Sequence, residues 1–535
     1  MHPLLLLLAE SAFWAALVLT TLPVGTPDSA DPTSGRQGGV RDRRGHDDRG
    51  DEAKERPGSL ADLERDLRAS RPETRRSVVR KLAALGQRKA WDLVLQVLSD
   101  ADPMVADEAQ VVLGSITDSK LAADLLGPSG LRANDDWVRL RVAEAFGRMP
   151  IEIDAEALAR GLVHGDAREG ETNRAILWSM ERLARAKRLG GDASKAYRAA
   201  ERLARSRGDP ELRGAALLAM NAIDPLEAHA AVAEWLEEGD GALRCAALVA
   251  VATWTEQECL KTSERLLDDP DPRVRAQAIE NLEAQSSRAA MLALVHRMGI
   301  EPRGRLKWGI QAYLRARSGE DFGLDAGKWT AWAQKIEGRL ATGEGRGLRL
   351  LPVPQTNVSF AGMNLVSDRV CFLIDFSGST WQTKVGEKTR KQVLDAKLRE
   401  ALEALPPGTG FNVMPYTNDP IPWEKRLQAS DKSSVKRAID FFERCNQSGR
   451  GNFFDAALLA LQDPEVDTIL VLTDGVPTGG HRWNLELMVE LLVERDRFRK
   501  VAFDSVLVDA PWSKRKLWED LARRTGGRSV VAELE

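Results

Sequence analysis

The stretch Arg369-Val370-Cys371-Phe372-Leu373-Ile374-Asp375-Phe376-Ser377-Gly378-Ser379-Thr380 decides how the second half of the chain folds. An apolar β-run, Val370 to Ile374, stops abruptly on Asp375, Ser377 and Ser379, oxygen-bearing side chains at alternate positions. A buried strand that ends on hard oxygen donors, with Gly378 permitting a tight turn, suits a divalent cation such as Mg²⁺. A second apolar run, Thr468 to Leu472, ends in Thr473-Asp474-Gly475. Two parallel strands that bring carboxylates to one edge make a site at the carboxyl end of their sheet.

Strand and helix patterns alternate on either side of these runs. Strands are expected at 369–375, 410–416, 467–473, 500–508 and 527–532, with helices near 387–404, 431–445, 452–462, 484–498 and 513–523. That alternation predicts a mostly parallel sheet covered on both faces, over residues 356–535.

The chain has 535 residues, more than one core can serve, so two to four domains are expected. Residues 58 to about 340 are rich in Ala, Leu and Arg, with apolar residues at three- and four-residue spacing, which predicts helices. A repeat runs through them. Asp271-Pro272-Arg273-Val274-Arg275-Ala276 is echoed by Asp209-Pro210-Glu211-Leu212-Arg213-Gly214 and by Gly241-Ala242-Leu243-Arg244-Cys245, with weaker copies near Arg71, Asp102 and Asp136. Asp or Pro opens each helix, the apolar positions face a core, and the arginine can lie along the next unit. One helix pair cannot bury its own face, so the copies must stack, at roughly seven or eight units. The array resembles the short HEAT-like repeats of bacterial proteins. The aromatic segment around Lys328-Trp329-Thr330-Ala331-Trp332 is read as a cap on its last unit.

The ends and joints have their own signatures. Residues 1–30 hold an apolar stretch broken by Glu10 and followed by small polar residues, which reads as an atypical signal peptide or an anchor. A misplaced start codon is the rival reading. Residues 31–57 are Gly, Arg, Asp and Pro with almost nothing apolar, a flexible tether. A linker is expected at 341–355. An extracytoplasmic location follows, periplasmic, secreted or membrane-anchored, with any membrane contact confined to the N-terminal segment.

The site motifs resemble those of the von Willebrand factor type A domain and its metal-ion-dependent adhesion site. Asp375-Phe376-Ser377-Gly378-Ser379 matches the D-x-S-x-S strand end, and Thr473-Asp474-Gly475 its T-D-G strand end. Ser448-Gly449-Arg450-Gly451-Asn452-Phe453-Phe454-Asp455-Ala456-Ala457-Leu458 matches the intervening loop. The resemblance covers about 170 residues. It implies an α/β Rossmann-like domain following an all-α solenoid. It also implies a Mg²⁺ (or Ca²⁺ or Mn²⁺) site built from Asp375, Ser377, Ser379 and Asp474, with one coordination position open for an acidic side chain of a protein partner. The sequence departs from the family where the loop threonine should stand, because Gly451 occupies that position. Asn452 beside it is the nearest substitute, as ligand or as support. Fewer oxygens mean weaker hard-cation binding, so a weak site is expected. Trp381, Arg450, His481 and Trp483 lie on loops around the motifs and form an expected partner-binding rim, with Arg450 pairing to an acid.

Other chemistries find little support. Neither a nucleotide-binding glycine loop nor a nucleophile motif around Ser377 is present, the six histidines are scattered, and the four cysteines form no C-x-x-C. Buried free thiols are expected. The expectation is a non-enzymatic interaction scaffold without a small-molecule substrate. A net charge of -4 gives no bulk drive toward nucleic acid. An RNA-binding protein similar to the Ro autoantigen family and an intracellular assembly adaptor are the alternatives.

Overall fold

A computed structural model describes residues 59–164, 169–337, 358–378, 384–385 and 387–532. The expected signal and tether, the linker at 341–355, Ser379 and Trp381 lie outside them.

The repeat pattern folds as stacked helix pairs. The first helices of successive pairs are α1 (Pro72–Leu85), α2 (Pro103–Leu113), α3 (Asp136–Phe146), α4 (Gly170–Arg185), α5 (Pro210–Ile223), α6 (Gly241–Val251), α7 (Pro272–Gln285) and α8 (Arg305–Ser318). Each is followed by a second helix, from Arg88–Gln96 to Ala326–Ala333, so eight pairs stand among the described residues. The repeating Asp-Pro start has a local cause. Asp102, Asp209 and Asp271 each accept backbone N–H groups of the helix they cap, and Pro occupies the first turn, where no donor is needed.

The repeat arginines tie each pair to the next. Arg75, Arg244 and Arg275 each form a two-pronged ion pair with an acid some 25 residues on, Asp100, Asp269 and Glu301, at 2.7–3.2 Å. The same guanidinium reaches back to a loop carbonyl five or six residues earlier, as Arg75 does to Ala69 and Arg275 to Asp269. Trp329, fully buried, closes the last pair with its ring edge on Phe322 and its indole N–H donating to the Gly323 carbonyl.

The C-terminal block is a six-stranded sheet. Its strands are β1 (Arg369–Asp375), β2 (Gly410–Tyr416), β3 (Gln428–Ala429), β4 (Thr468–Thr473), β5 (Ala502–Val508) and β6 (Ser529–Ala532), in the order β6-β5-β4-β1-β2-β3. All neighbours are parallel except β3, a two-residue antiparallel edge the sequence pattern did not reveal. Helices α9 (Arg390–Glu403) and α10 (Lys432–Arg444) cover one face. Helices α11 (Phe453–Leu461), α12 (Leu485–Asp496) and α13 (Trp512–Arg524) cover the other. Burial on both faces accounts for the unbroken apolar strands. The architecture is the expected one, an all-α array of helix pairs followed by an α/β domain with a mostly parallel sheet. All four cysteines are free thiols.

The α/β domain packs directly on the row of first helices. Phe498, just after α12, is buried within the core of the helical array, and Gly214 of α5 makes room for it: a Cβ there would stand 3.2 Å from the phenyl ring. The rest of the junction is ionic. Arg174 of α4 donates to Glu494 at 2.8 and 3.0 Å and to Glu211 at 2.9 Å; burial alone would lower its pKa, but the two carboxylates raise it. Arg497 grips Glu181 at 2.7 and 2.8 Å, and Lys500 reaches Glu280 at 2.7 Å.

The tightest knot lies at Arg482, 2% exposed. Its guanidinium donates to both carboxylate oxygens of Glu144, at 3.0 and 2.9 Å, and to Gln110. Asp107, fully buried on α2, accepts the backbone N–H groups of Trp483 and Asn484 at 2.6 and 2.7 Å and a guanidinium N–H of Arg141. Desolvation, with the charge of Arg482 adding to it, lowers the pKa of Arg141. Removing one partner strands a buried charge, which costs about 3–5 kcal/mol. Glu144→Ala is therefore expected to lower stability by that amount in denaturant titrations followed by tryptophan fluorescence. Truncating Leu226, 90% exposed, should change it by less than about 0.5 kcal/mol.

Candidate metal site

β1 and β4 are neighbours in register, with Ile374 opposite Leu472, so their ends place Asp375 and Thr473-Asp474 side by side. Asp375 is 3% exposed. One of its oxygens accepts the Ser377 N–H at 2.8 Å, and the other accepts the Thr473 hydroxyl at 2.9 Å. Burial first, and the neighbouring charge of Asp474 second, push the Asp375 carboxyl up to about 6. Asp474 is half-buried and receives the Val476 N–H at 3.1 Å.

The third motif is stitched to the other two through its backbone. Ser377 bridges Gly449, and the Gly378 N–H donates to the Gly449 carbonyl at 3.1 Å. On the other side the Gly451 carbonyl accepts N–H groups of Thr478 and Gly479 at 3.1 and 3.3 Å, and its N–H donates to the Thr478 hydroxyl at 2.9 Å. The three motif loops thus meet over the ends of β1 and β4.

Gly451 faces the pair of strand ends. A Cβ built on it would lie 3.4 Å from both oxygens of Asp375, where a threonine hydroxyl would enter the site. Asn452 is engaged elsewhere: its side-chain oxygen caps α11 through the Asp455 N–H, and its amide donates to the Asn418 carbonyl and to Asp455, both at 2.8 Å. It supports the loop from behind. Tyr416, opposite Asp375 on β2, is fully buried on the same face of the sheet.

The donor set fits a hard cation. A carboxyl pushed up by burial and by a second carboxylate is a place where positive charge is favoured, and Ser377 adds a hydroxyl. Among the described residues no three His, Cys, Asp or Glu side chains gather at one point, so any cation here depends on hydroxyls as much as on carboxylates.

The described residues of the expected rim, Arg450, His481 and Trp483, are turned toward the helical array. His481 stacks on Trp137 of α3 with centroids 5.0 Å apart, and its Nδ1 lies 2.9 Å from Asp455. Trp483 lies beneath the guanidinium of Arg76 on α1, 4.4 Å away. Arg450, half-exposed, stands 3.6 Å from Asp102, the cap of α2. Each of these three residues, expected to meet a partner, has a neighbour on the helical array of the same chain. Thr473 and Thr478 were passed over as individual residues, although Thr473 stands in the T-D-G motif itself. Asp107 and Glu144 also carried a signal, as acids set directly beside alanines, in Ala106-Asp107 and Ala143-Glu144-Ala145.

A family model described as HEAT repeats matches residues 61–147. A stretch of 135 residues is 29% identical to the mouse (Mus musculus) protein named inter alpha-trypsin inhibitor, heavy chain 4, and covers 23% of this chain and 14% of that protein. The human (Homo sapiens) inter-alpha-trypsin inhibitor heavy chain H2 is 30% identical over 135 residues, again 14% of its length. The chain therefore spans only about a seventh of these curated relatives. Among solved structures, a von Willebrand factor type A protein from Catenulispora acidiphila is 17% identical, with a TM-score of 0.27, covering 31% of this chain and 39% of that one. An engineered protein matches with 18% identity and a TM-score of 0.27, covering 51% of this chain and 81% of that one.

The raised carboxyl predicts a pH dependence for the cation-free chain. Between about pH 4 and 6 the folded state keeps a proton on Asp375 that the unfolded chain has released, so stability falls as pH rises through that window. The change from 3.8 to about 6 corresponds to roughly 3 kcal/mol. Asp375→Asn is expected to remove this part of the slope in denaturation midpoints measured from pH 4 to 7 with chelator. Identical slopes in the two proteins would contradict the burial.

Proposed function

We propose that the chain is a non-enzymatic interaction protein that binds a protein partner through a divalent cation, Mg²⁺ by preference, held by Asp375, Ser377, Ser379 and Asp474. The observation that carries this reading is the convergence of three motif loops on one buried carboxyl, Asp375, beside a second carboxylate. When bound, the cation supplies a Lewis-acidic position that an acidic side chain of the partner completes. Asp375 and Asp474 bring the negative charge, Thr473 fixes the orientation of Asp375, and Thr478 holds the Gly451 loop against the strand ends. With glycine at position 451 the site is one oxygen short, which favours weak and readily reversed binding.

The helical array serves as scaffold, since its row of first helices carries the α/β domain. The location proposed is extracytoplasmic. The apolar residues 3–24 and the similarity to proteins named as inter-alpha-trypsin inhibitor heavy chains support it. Among the described residues no helix is long and apolar enough to cross a membrane.

The test is co-purification of partners with the full chain in Mg²⁺ and in chelator, beside Asp375→Ala. Partners are expected to be captured only by the unaltered chain with Mg²⁺. Capture that survives both the chelator and the substitution would overturn the reading.

A further inference from the structure

The loop from Asp474 to Asn484 begins at the metal site and ends in the helical array. At its start Asp474 stands beside Asp375. In its middle Thr478 and Gly479 hold the Gly451 carbonyl, and Gly480 adopts a φ of +86° against Asn452. At its end Arg482 lies between Glu144 and Gln110, while Asp107 accepts the N–H groups of Trp483 and Asn484. The His481 carbonyl accepts from Arg141 at 3.1 Å, so backbone as well as side chains is clamped. The second motif loop reaches the same helices, because Arg450 faces Asp102. Both loops that frame the site thus have one end on the strand edge and the other on α2 or α3.

We propose that cation occupancy and docking of these loops on α2 and α3 are coupled, so that the HEAT array reports whether the site is filled. The inference rests on the reading of Asp375, Ser377 and Asp474 as a cation site. A cation held by Asp375 and Asp474 would fix the first residue of a segment whose last residues are held by Asp107. Ordering one end lowers the entropy left to lose at the other. Coupling of this kind is reciprocal: whatever factor the docked array adds to cation affinity, the cation adds to docking.

The geometry also says how the coupling can be weakened without emptying a core. Asp102→Asn keeps a capping side chain on α2 but removes the charge facing Arg450. His481→Ala removes the ring stacked on Trp137 at an exposed position. Arg482→Gln cuts the buried knot and is the more severe change.

The test uses the full chain. Mg²⁺ affinity is measured by calorimetry for the unaltered protein and for the Asp102→Asn/His481→Ala variant, and hydrogen exchange is followed with and without Mg²⁺. The expected result is Mg²⁺ binding at least about five-fold weaker in the variant. Mg²⁺ should also slow exchange in segments 103–113 and 136–146 as well as in 474–484. Arg482→Gln, where it folds, should weaken Mg²⁺ binding further. Equal affinities, with slowed exchange confined to 474–484, would overturn the coupling and leave the metal reading standing. No Mg²⁺ binding to the unaltered chain would overturn both.

Discussion

A guanidinium withdrawn from water needs its carboxylates, and the junction of the two domains depends on that requirement at Arg482. One guanidinium nitrogen of Arg482 donates to both carboxylate oxygens of Glu144 and the other to Gln110, and Asp107 balances Arg141 while holding the backbone just ahead of α12. Buried pairs of this kind add little net stability compared with apolar packing, but removing one partner is costly because it leaves the other charge buried. The arrangement pairs the charges of Asp107, Arg141, Glu144 and Arg482 across the junction and ties the α/β domain to the row of first helices.

That placement has a consequence for the site. The strand ends that carry Asp375 and Asp474 face loops whose far ends are occupied by α1, α2 and α3. Residues that would form an open rim on an isolated domain instead meet Trp137, Arg76 and Asp102. The helical array therefore stands beside the loops that carry Asp474 and Arg450, and the two halves of the chain meet there.

Much of this was legible in the residues. Strand ends at 375 and 473 are visible because apolar runs buried on both faces stop on oxygen donors. The helix pairs are visible because Asp-Pro starts recur with an arginine three residues into the helix. The pair around α4 carries no motif, because Asn173 stands where the arginine would be, and only the double-length gap between Arg139 and Arg213 reveals it. The edge strand β3 was hidden because two residues carry no periodicity. The domain junction was the least legible. Its acids and arginines look like the charged faces of ordinary helices, and only three-dimensional packing shows that Asp107 and Arg482, some 375 residues apart, bury each other.

The most direct test of the central claim is calorimetric titration of Mg²⁺ into the full chain, Asp375→Ala and Gly451→Thr. The backbone at Gly451 does not need a positive φ, and its Cβ direction leads to Asp375, so threonine restores the missing oxygen where the loop already points. Outer-sphere support of a bound metal is commonly worth 10- to 100-fold in affinity, so a direct ligand should add at least about tenfold. The predicted result is weak binding by the unaltered chain, tighter binding by Gly451→Thr and none by Asp375→Ala. Binding that is absent from all three, or unchanged by both substitutions, would contradict the account.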